Sequence, residues 1–188
     1  MMSTAETSPQ SALPVGSWRV DERAGKLGFK VKTMWGLSTV KGRFERYEGD
    51  LEVTPDGARG TLRIDAASLN TKNRKRDTHL RSADFFDVEQ HPTVSFELRS
   101  ATPGGPLLTV KGELEVAGRP VSLEFPVKLE RLDGDGARLV GEVSVTREEA
   151  GLTWNRMGMM GEVADLSADV VLVRSGDEAP GPNQPPEM

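Results

Sequence analysis

Apolar residues recur at every second position through most of this chain. Leu27, Phe29 and Val31 alternate with Gly28, Lys30 and Lys32, and Leu62 and Ile64 with Thr61, Arg63 and Asp65. Val94, Phe96 and Leu98 alternate with Ser95, Glu97 and Arg99. Leu108, Val110, Leu114 and Val116 keep one phase, as do Val121, Leu123, Phe125, Val127 and Leu129. Leu139, Val143 and Val145 follow, and Leu166, Ala168, Val170 and Leu172 close the series. A period of two places one face of each strand in a core and the other in water. Such strands suit antiparallel sheets, because parallel strands are buried on both faces and read as continuous apolar runs.

The connections agree. Pro55-Asp56-Gly57, Ala117-Gly118-Arg119 and Asp133-Gly134-Asp135-Gly136 each join two alternating runs, which is hairpin chemistry. The phase changes between Phe44 and Leu51, so a bulge or bend is expected at Gly49. The count is about eight strands, with room for a ninth. Pattern alone leaves two arrangements open. A closed barrel of about eight strands can hold one small ligand; a sandwich of the same strands has a dry, interdigitated interior.

One segment departs from alternation, Asn70 to Pro92. A helix is expected from about Asn73 to Ser82, capped by Asn70 or Thr71. Asp77 and Arg81, four apart, are spaced to pair on its surface. Lys72, Arg74, Lys75 and Arg76 crowd its amino end, where the helix dipole favours negative charge. A docking anion would gain from both cations and dipole there; the plainer account is a solvated charged face. Phe85 and Phe86, if extended, point opposite ways, one into the core and one under the helix. Two further breaks carry Trp and Met: Thr33 to Leu37, and Leu152 to Gly161 with Trp154, Met157, Met159 and Met160. Met fits irregular apolar surfaces, as core filler or as the lip of a cavity.

Length and composition narrow the function. A chain of 188 residues is sized for one domain. Residues 1–16 and 175–188 are Pro-, Gly- and polar-rich and read as disordered tails around a domain at 17–174. The net charge of −5 argues against broad nucleic-acid or anionic-membrane binding. No run is long and apolar enough for an integral membrane helix. The first residues lack the basic start and apolar core of a secretory signal, so a cytoplasmic location is expected. There are no cysteines, and His79 and His91 stand at no ligand spacing, so neither a metal nor a cofactor is expected. Ser-His-Asp and Gly-rich phosphate-loop arrangements are lacking, and Glu148 and Glu149 would face opposite ways on a strand. A catalytic role is therefore not expected.

The residues also resemble a known family. Arg76-Asp77-x-His79-Leu80-Arg81-Ser82-x-Asp84-Phe85-Phe86-Asp87, followed by Pro92, is similar to the signature segment of the YceI-like proteins, lipocalin-like and described as polyisoprenoid-binding. Trp18-x-Val20-Asp21, Gly42-x-Phe44, Ser68-x-x-Thr71, Gly112-x-Leu114 and Arg147-x-x-x-Gly151 support it. The resemblance implies an antiparallel lipocalin-like β-barrel with the helix packed at one end and an elongated apolar cavity. It also implies a long-chain isoprenoid, quinone-like or other amphiphilic lipid as partner. Many relatives are periplasmic.

The expected function is thus non-enzymatic carriage or storage of such a lipid. Its tail would lie against Phe29, Val31, Phe44, Leu62, Ile64, Phe96, Leu114 and Phe125 of the strands, and Leu80, Phe85 and Phe86 of the helical segment. Trp35, Leu37, Trp154, Met157 and Met160 of the two loops would complete the lining. Arg76, His79, Arg81 and Asn155 would hold the head group. The alternative is a sealed barrel without a ligand, a stress-related or protein-interaction module. A homodimer through a barrel face is compatible with either.

Overall fold

Ten strands account for most of the described residues, and every pairing found between them is antiparallel. The computed structural model describes residues 13–152 and 160–175, without the side chain of Met160. Trp154, Asn155 and Met157, expected at the site, lie outside the described residues, as do 1–12 and 176–188 of the expected tails. The strands are β1 (Gly16–Thr33), β2 (Ser38–Phe44), β3 (Tyr47–Thr54), β4 (Gly57–Asp65) and β5 (Leu69–Asn70). The short helix α1 (Arg74–Arg81) follows, then β6 (Thr93–Gly104), β7 (Leu107–Val116), β8 (Arg119–Arg131), β9 (Ala137–Thr146) and β10 (Met160–Arg174).

The strand order is β10-β9-β8-β7-β6-β4-β3-β1-β2-β5, and β1 also pairs with β10. That last pairing closes an eight-stranded barrel, to which β2 and β5 are additions. Closure removes the sheet edges that an open arrangement of these strands would leave. The barrel expected from the family resemblance is therefore the observed one, and the sandwich is excluded.

Strand β1 reaches around the barrel by changing neighbours. Gly16 to Arg19 pair with Val53 to Asp50 of β3, while Leu27 to Thr33 pair with Phe44 to Ser38 of β2. Between them the register against β10 slips, from Val20↔Leu172 to Gly25↔Val170. Gly25 sits at that bulge with φ +98°, and a Cβ there would overlap the Asp169 carbonyl. Only glycine meets both demands. The bend expected at Gly49 falls instead at Glu45 and Arg46, whose amides donate to the Ser68 hydroxyl at 3.1 and 3.0 Å. Gly49 lies in a regular ladder opposite Leu62. The β7–β8 turn has positive φ at both Ala117 and Gly118, as a tight two-residue hairpin requires.

The helix is capped by Asn73, whose side chain accepts from the Arg76 amide at 3.0 Å, rather than by Asn70 or Thr71. The expected Asp77–Arg81 surface pair does not form. Asp77 is only 7% exposed and accepts from the Thr71 amide at 3.0 Å and from its hydroxyl. Residues 13–15, read from composition as the end of a tail, pack on the barrel. The indole of Trp18, 1% exposed, donates to the Pro14 carbonyl at 3.1 Å, and Leu13 rests on the core.

Candidate functional site: a two-chambered lumen

The barrel is not filled. A chamber of about 650 Å³ opens at the end formed by the β3–β4 and β6–β7 hairpins. Val20, Leu51, Val53, Val110, Leu139 and Leu172 are among its walls. A second chamber of about 190 Å³ lies at the helix end, and its lining is almost wholly apolar. The larger volume falls in the range of about 300–1,000 Å³ usual for small-molecule sites.

The two chambers meet at a waist. Leu62, Phe96, Phe125, Gly141 and Ala168 line both. The rings of Phe96 and Phe125 lie 5.9 Å apart and tilted. Beside Phe125 the wall is made small: Gly141 stands in register with Val127 on one side and Ala168 on the other. A Cβ on Gly141 would come within 3.0 Å of a Val127 methyl and 3.4 Å of the Phe125 ring. A side chain at this position would crowd the wall that the two chambers share.

At the helix end three rings pack together. Phe29, Phe44 and Phe86 have centroid separations of 5.6, 5.8 and 6.4 Å, with Phe44 and Phe86 edge to face. Gly42, directly opposite Phe29 in the ladder, leaves room for that ring; a Cβ there would overlap it. Such a cluster closes this end far more than the other.

The helical segment holds itself together with the residues expected to grip a head group. Arg76 donates from Nε to the Thr71 hydroxyl and from its terminal nitrogen to the Thr71 carbonyl, both at 2.8 Å. Arg81 donates to the carbonyls of Ala67 and Leu69, at 3.0 and 2.9 Å. His79 stands 2.8 Å from Asp84 and edge to face with Phe85. None of the three lines either chamber. Carbonyls left over by the short turn at Ala66–Ser68 and by β5 need donors, and Arg81 supplies one to each, while Arg76 serves Thr71 just after β5. The head-group expectation for Arg76, His79 and Arg81 is corrected accordingly.

The expected tail contacts divide by place. Phe29, Val31, Phe44, Ile64, Leu80, Phe85, Phe86 and Leu114 line the smaller chamber, and Leu62, Phe96 and Phe125 the waist. Phe85 and Phe86 do not diverge as an extended pair would. They sit in a turn, with the Phe86 amide donating to the Leu80 carbonyl at 3.0 Å, so both rings reach the chamber. Trp35 and Leu37 are corrected: they stand outside the barrel, 73% and 85% exposed.

Two things were missed. The walls of the larger chamber come from strands whose inward phase was legible, yet nothing in the alternation separates a residue that lines a void from one that fills it. The other is Arg147, 7% exposed and part of the smaller chamber's wall. It donates to the Gly161 carbonyl and, at 2.9 Å, to that of Leu152. Burial pushes its guanidinium below the ordinary arginine range, against the pull of Glu162. Among the described residues that line the smaller chamber, Arg147 is the one that carries a charge.

Known proteins share this architecture. Burkholderia cenocepacia BcnA superimposes with a TM-score of 0.73 at 19% identity, over 81% of this chain and 98% of its own. A polyisoprenoid binding domain from Saccharophagus degradans, implicated in plant cell wall breakdown, gives 0.69 at 14% identity, over 84% and 98%. Both likenesses speak for the fold alone. A UPF0312 protein of Staphylococcus aureus strain N315 is 30% identical over 167 residues, covering 84% of this chain and 94% of the relative. The profile described as YceI-like domain matches residues 18–172, from the tryptophan that seals the barrel core to the last strand that closes it. The chain therefore belongs to the YceI-like family.

Proposed function

We propose that this protein binds and carries, without chemical conversion, an amphiphilic lipid with a long apolar tail, of the polyisoprenoid or isoprenoid-quinone type. One observation carries the reading: two apolar chambers lie end to end in the barrel and share the walls of the Phe96–Phe125 waist. A chain-like ligand uses such a shape, and its lining of aliphatic and aromatic side chains offers burial rather than reaction chemistry. Each methylene taken from water contributes about 0.8 kcal/mol in transfer terms. Drug-sized ligands retain about 0.3 kcal/mol per heavy atom after ordering costs, which still reaches useful affinity for a long tail. The binding of polyisoprenoid by the Saccharophagus degradans domain, in the words that describe it, supports the ligand class.

The sealed-barrel alternative draws support from the helix end only, where Phe29, Phe44 and Phe86 close the passage. The head group is assigned to the wide mouth at the opposite end, where Asp50, Thr54 and Asp56 bring polar atoms to the rim. The test is to extract the recombinant protein with organic solvent, identify what is released, and offer the emptied protein a prenol, a prenyl phosphate and an isoprenoid quinone. Release or uptake of a long-chain lipid is expected. Preparations that are repeatedly lipid-free and take up none of the three would end the proposal.

A further inference from the structure

The tip of the β1–β2 hairpin is apolar and lies in water. Among the described residues Leu37 and Trp35 are the most exposed large apolar side chains, and Met34, 51% exposed, sits beside them. Single exposed apolar residues are ordinary, but three within four positions at a projecting tip form a patch. The backbone holds them outward. Met34 and Trp35 adopt φ of 51° and 53°, a conformation that favours glycine, and the turn is closed by the Leu37 amide on the Met34 carbonyl at 3.1 Å. A bulky pair in that conformation, with no core contact to reward it, is not explained by folding.

Charge distribution adds a second, independent observation. From Lys26 to Arg43 the chain has five cations, Lys26, Lys30, Lys32, Lys41 and Arg43, and no acid, although the whole protein carries −5. Lys30 and Lys41 stand directly opposite one another in the β1–β2 ladder. Like charges so placed destabilise a sheet, so stability does not select them. Neighbouring acids answer only part of this charge. Asp165 of β10 approaches Lys30 at 3.9 Å, and Glu45 meets Arg43 at 3.1 Å. Asp169, opposite Lys26 in register, is bound by Arg138, and Glu162 lies near Arg147. Lys32 and Lys41 make no ion pair among the described residues.

We infer that residues 34–37 insert into the headgroup region of an anionic lipid bilayer, with Lys32 and Lys41 set against its phosphates. Tryptophan prefers that interfacial zone, and lysines beside it gain from anionic lipid. A protein partner fits less well. Protein interfaces are depleted of lysine at their centre, and a stable one buries about 800 Å² on each side, more than a four-residue tip presents. Docking here sets the helix end of the barrel against the bilayer, since Val31 of the smaller chamber lies three residues before Met34. The wide mouth of the proposed carrier then faces away from the bilayer, and the surface chemistry stands without the carrier reading.

The experiment is flotation of the full-length protein with phosphatidylcholine–phosphatidylglycerol vesicles and with pure phosphatidylcholine vesicles, at low and high salt. Wild type should float with the mixed vesicles, less so at high salt. The Trp35→Ser/Leu37→Ser variant should lose about tenfold in partition. Lys32→Glu/Lys41→Glu, which leaves the tip intact, should lose the preference for anionic vesicles. Wild type that ignores both vesicles, or floats equally well with and without Trp35 and Leu37, overturns the inference. So does a wild-type dimer in sedimentation, dissolved by the tip variant, with no vesicle binding. Prenol uptake by wild type from cyclodextrin, without vesicles, separates the two readings. Uptake without vesicle binding sinks docking alone; vesicle binding without uptake sinks the carrier and sustains docking.

Discussion

The two ends of this barrel solve opposite problems with the same kind of strand. The end bearing α1 is narrowed by three phenylalanine rings and covered by a segment tied down through Thr71, Arg76, Asp77 and Arg81. The far end has aliphatic walls, hairpin rims and a chamber more than three times larger. Large planar rings fill space, whereas Val and Leu on a curved wall leave it. Buried polar staples centred on Thr71 and Asp77 secure the first end; at the second, the ladders are helped by ties such as the Arg174 guanidinium on the Val15 carbonyl at 3.0 Å. The lesson is that stability and capacity are kept apart along the barrel axis, and each can be tested without the other.

The largest effect is expected at the staples. Asp77→Ala would strand the buried Thr71 amide and hydroxyl and cost about 3 kcal/mol in urea unfolding. A loss below about 1 kcal/mol would show that the helix cap is secured by packing alone. Next is the ring cluster. Phe86→Ala should cost about 2 kcal/mol, as the ring is half-buried, and should widen the smaller chamber in a crystal structure. If the neighbours collapse instead, the helix end is deformable and the contrast with the far end weakens.

The waist ranks third and bears on capacity rather than stability. Gly141→Leu, or Ala168→Leu on the neighbouring strand β10, should narrow the waist between the chambers. Binding of a long-tailed prenol is expected to fall about tenfold, close to 1.4 kcal/mol, while a short-tailed amphiphile that fits the larger chamber is retained. Equal loss of both in titration would mean that the two chambers do not act as one site.

The smallest effect concerns the outer wall. Arg138 donates to Asp169 at 2.7 Å and holds its carboxyl below the usual carboxylate range. The contribution is complete above the unfolded value, about pH 4, and is lost as pH falls through the lower folded value. Arg138 is 43% exposed, so the pair should supply less than about 1 kcal/mol. Arg138→Gln should therefore flatten the acid limb of a stability–pH profile only slightly; a large change would place the pair in the load-sharing of the β1 bulge.

How far the sequence reached can be argued residue by residue. The alternation of Leu27, Phe29 and Val31, and of its later counterparts, determined strand identity and inward faces, because side chains on a pleated strand have no choice but to alternate. The signature from Arg76 to Asp87 placed the helix and, through resemblance, the closed barrel. What Arg76 and Arg81 do was not legible, since an arginine facing solvent and one facing stray carbonyls read alike. Nor was the bend: Gly49 marked the right stretch, but Ser68, some twenty residues on, decided where the backbone turned.

Local sequence, then, determined which residues form strands, which face each presents, and where a helix interrupts them, because these follow from the chain's own periodicity. Only the tertiary structure decided that the sheet closes, that Gly141 falls in the wall two chambers share, and that Trp35 and Leu37 lie outside. Cavities, staples and exposed tips arise where distant strands meet, and their spacing is set by register and curvature rather than by any stretch read alone.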